Sequence, residues 1–295
     1  MRMFRGKNRV IHVLFLMIGV FFAIFFTACS TSGQPDGSAI AAPAISVPNV
    51  LSEELTHSPV GTLDMTWDAH SHELTVKVSA TGLAPDSTHP EHIHAGTCAS
   101  TPMGVIVYIL NPLVADAHGV GTAETTIANV SHGIPVQGWY LNIHNGPTLN
   151  TPEEANPIAC ANITEKDASS SPVHALLTRT MAPDESAHGN AQLNITGNKL
   201  IVTLNMSGLV PHSAHIAHIH TGSCASQGAV VYPLQVITAD AQGNATNSTT
   251  LTISNVQQFT SSQFYINVHE AGTMDGMSKQ QGFDPIACGD IIFHV

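Results

Sequence analysis

His89-Pro90-Glu91-His92-Ile93-His94-Ala95-Gly96-Thr97-Cys98 is matched further along the chain by His215-Ile216-Ala217-His218-Ile219-His220-Thr221-Gly222-Ser223-Cys224. Both read His-x-x-His-x-His, then Gly, then Cys. Each is followed by a second motif, Tyr140-Leu141-Asn142-Ile143-His144 and Tyr265-Ile266-Asn267-Val268-His269, and each half closes on Ile-Ala-Cys, at Cys160 and Cys288. In a strand, residues i and i+2 share a face. His92 and His94 therefore point one way and Ile93 the other, as do His218 and His220 against Ile219. Tyr140, Asn142 and His144 share a face opposite Leu141 and Ile143; Tyr265, Asn267 and His269 do so opposite Ile266 and Val268. With the two strands as neighbours, His92, His94 and His144 converge outside the aliphatic core, and His218, His220 and His269 do the same. Imidazole clusters of this kind suit copper or zinc. His89 and His215 fall on the other face or at the strand start, and read as structural residues or hydrogen-bond partners of a ligand. Asn142 and Asn267 read either as orienting the ligand two residues on or as packing at the ladder edge. His118, His132, His174 and His212 have no counterpart in the other repeat and read as surface residues.

Around these motifs the pattern is all-β. Leu74-Thr75-Val76-Lys77-Val78 and Leu200-Ile201-Val202-Thr203-Leu204 alternate as half-buried strands do. Gly104-Val105-Ile106-Val107-Tyr108 is matched by Gly228-Ala229-Val230-Val231-Tyr232. Asp116-Ala117-His118-Gly119 and Asp240-Ala241-Gln242-Gly243 are turn signatures. No long helical period follows the N-terminal region. A chain of 295 residues holds two modest domains, and repeats this long are a duplicated domain rather than a solenoid.

The chain starts with Arg2, Arg5, Lys7 and Arg9, an apolar run from Val10 to Phe26, and Thr27-Ala28 before Cys29. This is an export signal, and its ending resembles a bacterial lipoprotein signal in which Cys29 carries the lipid. The plain alternative is an N-terminal membrane anchor. The expected organisation is a signal over 1–29, a Ser/Ala/Pro/Gly-rich tether over 30–56, a first domain over 57–163, a linker over 164–183 and a second domain over 184–295. The expected location is the outer face of the cell membrane, held by the lipid. Of the 9 basic residues, the four in the signal leave five against 21 acids, a net charge of about −16. Such a surface excludes nucleic acid as a partner and gives no attraction to anionic lipid.

Besides Cys29, the cysteines fall two per repeat. In an exported protein this implies one disulfide in each domain, and the repeat makes Cys98–Cys160 and Cys224–Cys288 the simplest pairing among those formally open. Cysteine ligation of a metal is a weaker reading, since no Cys-x-x-Cys pair exists.

Together, His-x-x-His-x-His, the following Cys, the Asp-x-x-Gly turn, the later strand His and the closing Ile-Ala-Cys resemble copper/zinc superoxide dismutase, over roughly 61–163 and 188–295. The resemblance implies two tandem Greek-key β-barrels or sandwiches. It also implies copper on His92, His94 and His144, copper on His218, His220 and His269, and the two disulfides above. The family's zinc loop, with its bridging His, is absent after Cys98 and Cys224, so copper without zinc is expected. Pro157 and Pro285 stand where the family places an Arg that guides superoxide. The chain is thus similar to copper-only or degenerate members. The Tyr-x-Asn-x-His strand and the His-Ile-His region also resemble CHRD (chordin-type) domains. The functions implied are an exported copper-binding protein with weak superoxide dismutase activity, a metal-free CHRD-type adhesion or interaction module, or a fully active copper-only dismutase.

Overall fold

The computed structural model describes residues 50–164 and 172–293. The expected signal, with Cys29, and most of the expected tether lie outside the described residues. The first half runs β1 (Val50–His57), β2 (Val60–Asp68), β3 (Glu73–Thr81), β4 (Thr88–His89), β5 (Glu91–Ala95), β6 (Ile106–Ile109), β7 (Leu113–Val114), β8 (Gly121–Ile127), β9 (Trp139–His144), the one-turn helix α1 (Pro152–Ala155) and β10 (Pro157–Ile163). The second runs β11 (Val173–Leu177), β12 (His188–Thr196), β13 (Lys199–Ser207), β14 (Ala214–His215), β15 (Ala217–Ser223), β16 (Ser226–Pro233), β17 (Ile237–Thr238), β18 (Ala245–Thr252), α2 (Val256–Ser261), β19 (Phe264–His269), α3 (Gln280–Phe283) and β20 (Pro285–Ile291). Among the described residues the protein is all-β, with short helices only in connections.

The second half builds an eight-stranded sheet in the order β16-β15-β19-β20-β1-β12-β13-β18. The first half forms two four-stranded sheets, β10-β9-β5-β6 and β11-β2-β3-β8. A bridge between Cys160 and Thr178 joins them edge to edge, giving β6-β5-β9-β10-β11-β2-β3-β8. This is the same order with one substitution: each half holds the other half's first strand. β1 pairs antiparallel with β12 from Val50↔Asn194 to Leu55↔Gly189 and with β20 at Thr56↔Cys288. β11 pairs with β2 from Val173↔Met65 to Leu177↔Gly61.

Packing follows the exchange. Leu51 and Leu55 of β1 are buried with Leu193, Leu204, Ile219 and Ile266 in the second core. Val173 and Leu177 of β11 are buried with Leu63, Val78, Ile93 and Leu141 in the first. Strand therefore occupies the end of the expected tether and the middle of the expected linker. Ser-, Ala-, Pro- and Gly-rich neighbours make both segments read as connections, and each strand finds its ladder partners in the distant repeat. The two Asp turns form as their sequences imply. The Asp116 carboxylate accepts from the backbone N–H of His118 and Val120 at 2.8 and 3.0 Å, and Asp240 does the same for Gln242 and Asn244 at 2.8 and 2.9 Å.

Both disulfides are present, Cys98–Cys160 and Cys224–Cys288, each with a Cα separation of 5.9 Å. Each ties the end of the double-His segment to the last strand of its half.

The exchange has a measurable signature. Leu55→Ala removes a side chain that is 1% exposed and should cost about 2–5 kcal/mol. Amide exchange should quicken in β12 and β20 and stay slow in β2 and β3. Loss of protection in β2 instead would mean that β1 folds with its own repeat.

Candidate metal centre

The ladder between β5 and β9 places His92 opposite Asn142 and His94 opposite Tyr140. The ladder between β15 and β19 repeats this with His218↔Asn267 and His220↔Tyr265. Ile93, Leu141, Ile143 and their counterparts Ile219, Ile266 and Val268 fill the cores, which forces the histidines onto the opposite face. There each trio gathers. Ring centroids of His92, His94 and His144 lie 5.7, 5.1 and 5.9 Å apart, and those of His218, His220 and His269 lie 5.6, 5.3 and 5.6 Å apart. In each trio one nitrogen per ring lies within 4.8 Å of the others. The rings are buried rather than open to solvent, because loops close over this face.

Those loops also set which nitrogen faces the centre. His94 Nδ1–H donates to the Gly104 carbonyl at 2.8 Å and His144 Nδ1–H to the Ala155 carbonyl at 2.8 Å. His220 donates to Gly228 at 3.0 Å and His269 to Phe283 at 2.7 Å. A carbonyl can only accept, so the proton sits on Nδ1 and the Nε2 lone pair points inward. Ala155 and Phe283 are the last residues of α1 and α3, where helix carbonyls lack an intrahelical partner. Gly104 must be glycine, since a Cβ there would lie 1.7 Å from the Ala95 carbonyl oxygen; at Gly228 it would lie 2.3 Å from that of Thr221. Tyr140 stacks on His94 at 5.3 Å and its hydroxyl accepts from Gly104 N–H at 2.9 Å. Tyr265 does the same with His220 at 5.0 Å and Gly228 at 3.3 Å.

What remains at each centre is a set of lone pairs. His92 Nδ1, His94 Nε2 and His144 Nε2 are buried without a hydrogen-bond partner, and so are His218 Nδ1, His220 Nε2 and His269 Nε2. Unpaired buried polar atoms are costly, and six in two matching triads need a physical reason. Burial disfavours the charged ring at several of these positions: His144 and His218 are lowered to about 4, and His269 to about 3. His92 and His220 are also shifted down by burial. Three imidazoles with converging lone pairs fit a copper or zinc ion by donor type and spacing.

His89 and His215 do not point into the trios. Their Nδ1–H groups donate to the backbone carbonyls of His144 and His269, at 2.8 and 3.0 Å, and so fix the strand that carries the third ligand candidate. Burial lowers His89 to about 4. Burial also opposes the charge on His215, but the hydrogen bond and charge of Asp184 outweigh it and raise that group. Asn142 and Asn267 donate elsewhere, to Met103 Sδ at 3.1 Å and Gln227 Oε1 at 3.3 Å. His118 is exposed, as expected, and its Nδ1–H also donates to the Gln227 carbonyl of the second half at 3.2 Å.

The sequence reading missed the carbonyls of Gly104 and Gly228, although both glycines recur at matching places. It also missed the buried carboxyls. Desolvation raises Glu91 to about 8, Glu270 to about 7 and Asp284 to about 8, and lifts Glu185 well above the ordinary range. His57, lowered to about 4 by burial and Arg179, lies 3.5 Å from Glu185, so burial disfavours the charged form of both groups.

Among known proteins, residues 173–277 match the CHRD domain family. No curated protein matches the chain. The matched stretch starts at β11, so its first strand belongs spatially to the other half.

The buried carboxyls set a pH dependence. Their native pKa values lie above the unfolded ones, so the folded state holds more protons and loses stability as pH rises through the native values. Above pH ~6.5 the imidazoles with lowered values are neutral in both states and no longer offset this, and His215, raised by Asp184, adds to the fall. The melting temperature of the metal-free protein should therefore fall between pH ~6.5 and ~8, each carboxyl contributing at most ~1.4 kcal/mol per pH unit. Glu91→Gln should flatten that fall. A melting temperature that rises over this interval would contradict the assignment.

Proposed function

We propose that this is an exported, membrane-tethered copper-binding protein with one three-histidine site in each repeat. The observation that carries the reading is the pair of buried imidazole triads, each with three partnerless nitrogens within 4.8 Å of one another. The duplicated sheet order and the two disulfides support the tandem superoxide dismutase-like arrangement behind the ligand set. The lipoprotein-type ending at Cys29 supports attachment to the outer face of the membrane. A copper ion on three imidazoles would supply one-electron redox chemistry with a coordination position left open. The residues' own part is to hold three lone pairs converging on one point, with the Nδ1–H of two rings in each triad tied to backbone carbonyls.

Turnover of superoxide is the lesser part of this proposal. Pro157 lies directly opposite His144 in the ladder, and Pro285 opposite His269. The position that would carry a guiding cation is thus beside the third histidine and uncharged, in a chain with a large excess of acids. Zinc beside copper is not expected, because no bridging His follows Cys98 or Cys224. A second reading, a metal-free interaction module, is favoured by the CHRD match over 173–277.

Loading the purified protein with copper and zinc together should give two coppers per chain and nitrogen hyperfine structure from Cu(II). His94→Ala should lose one copper and His220→Ala the other, each with the remaining site intact. A protein that takes up neither metal would favour the interaction module. Stoichiometric zinc beside copper would overturn the copper-only assignment.

A further inference from the structure

The two triads differ in what stands beside them. Met103 Sδ accepts from Asn142 Nδ2 at 3.1 Å, and Asn142 faces His92 across the ladder. Met103 also precedes Gly104, the residue that orients His94. A cavity of about 350 Å³ opens at this corner, lined by Met103, Met181, Tyr140, Asn142, Cys98 and Pro157 among others. Both methionines reach solvent: Met103 is 44% exposed and Met181 75%. An exposed methionine forfeits the burial that is its usual use, and here two do so around one cavity next to an imidazole triad.

At the matching positions the second repeat has no such pair. The residue before Gly228 is Gln227, which is 1% exposed. Its Nε2 donates to the Leu83 carbonyl at 2.7 Å and its backbone N–H to that of His118 at 2.9 Å. It therefore seals that corner against the first half. Met181 follows Thr178, which pairs with Cys160; Pro59 holds the same place after Thr56, which pairs with Cys288.

We propose that Met103 and Met181 form a capture site for a soft monovalent ion, Cu(I), at the mouth of the first triad, and that the second triad lacks one. Thioether sulfur selects Cu(I) over harder ions. Neutral thioethers hold such an ion weakly, and the neighbouring imidazoles of His92, His94 and His144 offer it a fuller donor set. The inference rests on the three-histidine reading for its destination, but the thioether pair is testable without it.

The test uses the mature full-length protein with methyl-labelled methionine, its imidazoles first filled with Zn(II), and Ag(I) as a redox-inert soft ion. The Met103 and Met181 methyl resonances should move together with one midpoint, while exposed Met274 stays in place. Met103→Leu, a volume-conserving change, should weaken the Met181 response about tenfold or more, the lower bound for losing a group that supports a metal. Met181→Leu should do the same to Met103. Under anaerobic loading with Cu(I)–acetonitrile, both variants should fill the first triad more slowly and the second at the original rate. Methionine resonances that stay still, move independently of each other, or move no more readily than Met274 overturn the capture site. Absence of zinc and copper on the imidazoles refutes the three-histidine reading instead, and the methionine resonances still decide the thioether pair.

Discussion

The ladder of β1 against β12 and β20, with its mirror in β11 against β2, is the constraint on which the rest of the molecule depends. Neither half completes its sheet alone. Without β1, β20 and β12 would face each other across a missing strand, and β20 carries Cys288 and follows directly from Phe283, whose carbonyl orients His269. Without β11, the sheet with His92, His94 and His144 would lose its bridge to β2 and β3. The three-histidine geometry in each half is thus held partly by a strand whose sequence lies in the other.

The exchange also brings carboxyls into the seam. Asp284, at the start of the last strand, accepts from the backbone N–H of Ala84 at 2.9 Å and lies 3.9 Å from His89. Asp184 accepts from Val210 N–H at 2.6 Å and lies 3.4 Å from His215. Ala84 and Val210 are matching positions in the two repeats, so two acids from non-matching parts of the chain do the same work. In the first half that acid must come from the second repeat, because the connection from β1 to β2 is only Ser58-Pro59. Gln280 adds to the seam, its amide bonding Thr88 and the Asn145 carbonyl beside His144.

Much of this was legible from residues alone. Period-two alternation around Ile93, Leu141, Ile219 and Ile266 put three histidines of each half on one face, and export plus duplication pointed to the cysteine pairing. What the sequence could not show was which repeat a strand serves. Leu51 and Leu55, or Val173 and Leu177, carry the same apolar signal whichever sheet receives them, and only the three-dimensional path decides. The CHRD match makes the same point: 173–277 is continuous in sequence, yet its opening strand fills a gap elsewhere. The protonated carboxyls were hidden for a related reason. An Asp or Glu reads as surface until its neighbours, here from both repeats, remove it from water. The helix-end carbonyls of Ala155 and Phe283 were hidden too, because a backbone acceptor leaves no mark on residue identity.

The position of β1 has a mechanical meaning. A pull on the chain at Val50 loads a strand clamped between β20 and β12, both antiparallel to it. Force along that strand shears many backbone hydrogen bonds at once instead of peeling them one by one, as it would at a sheet edge. It also bypasses β2, the next strand in sequence, and enters the half furthest along the chain. A protein held by its N-terminus would therefore bear tension through its second repeat first, with the first repeat shielded behind it.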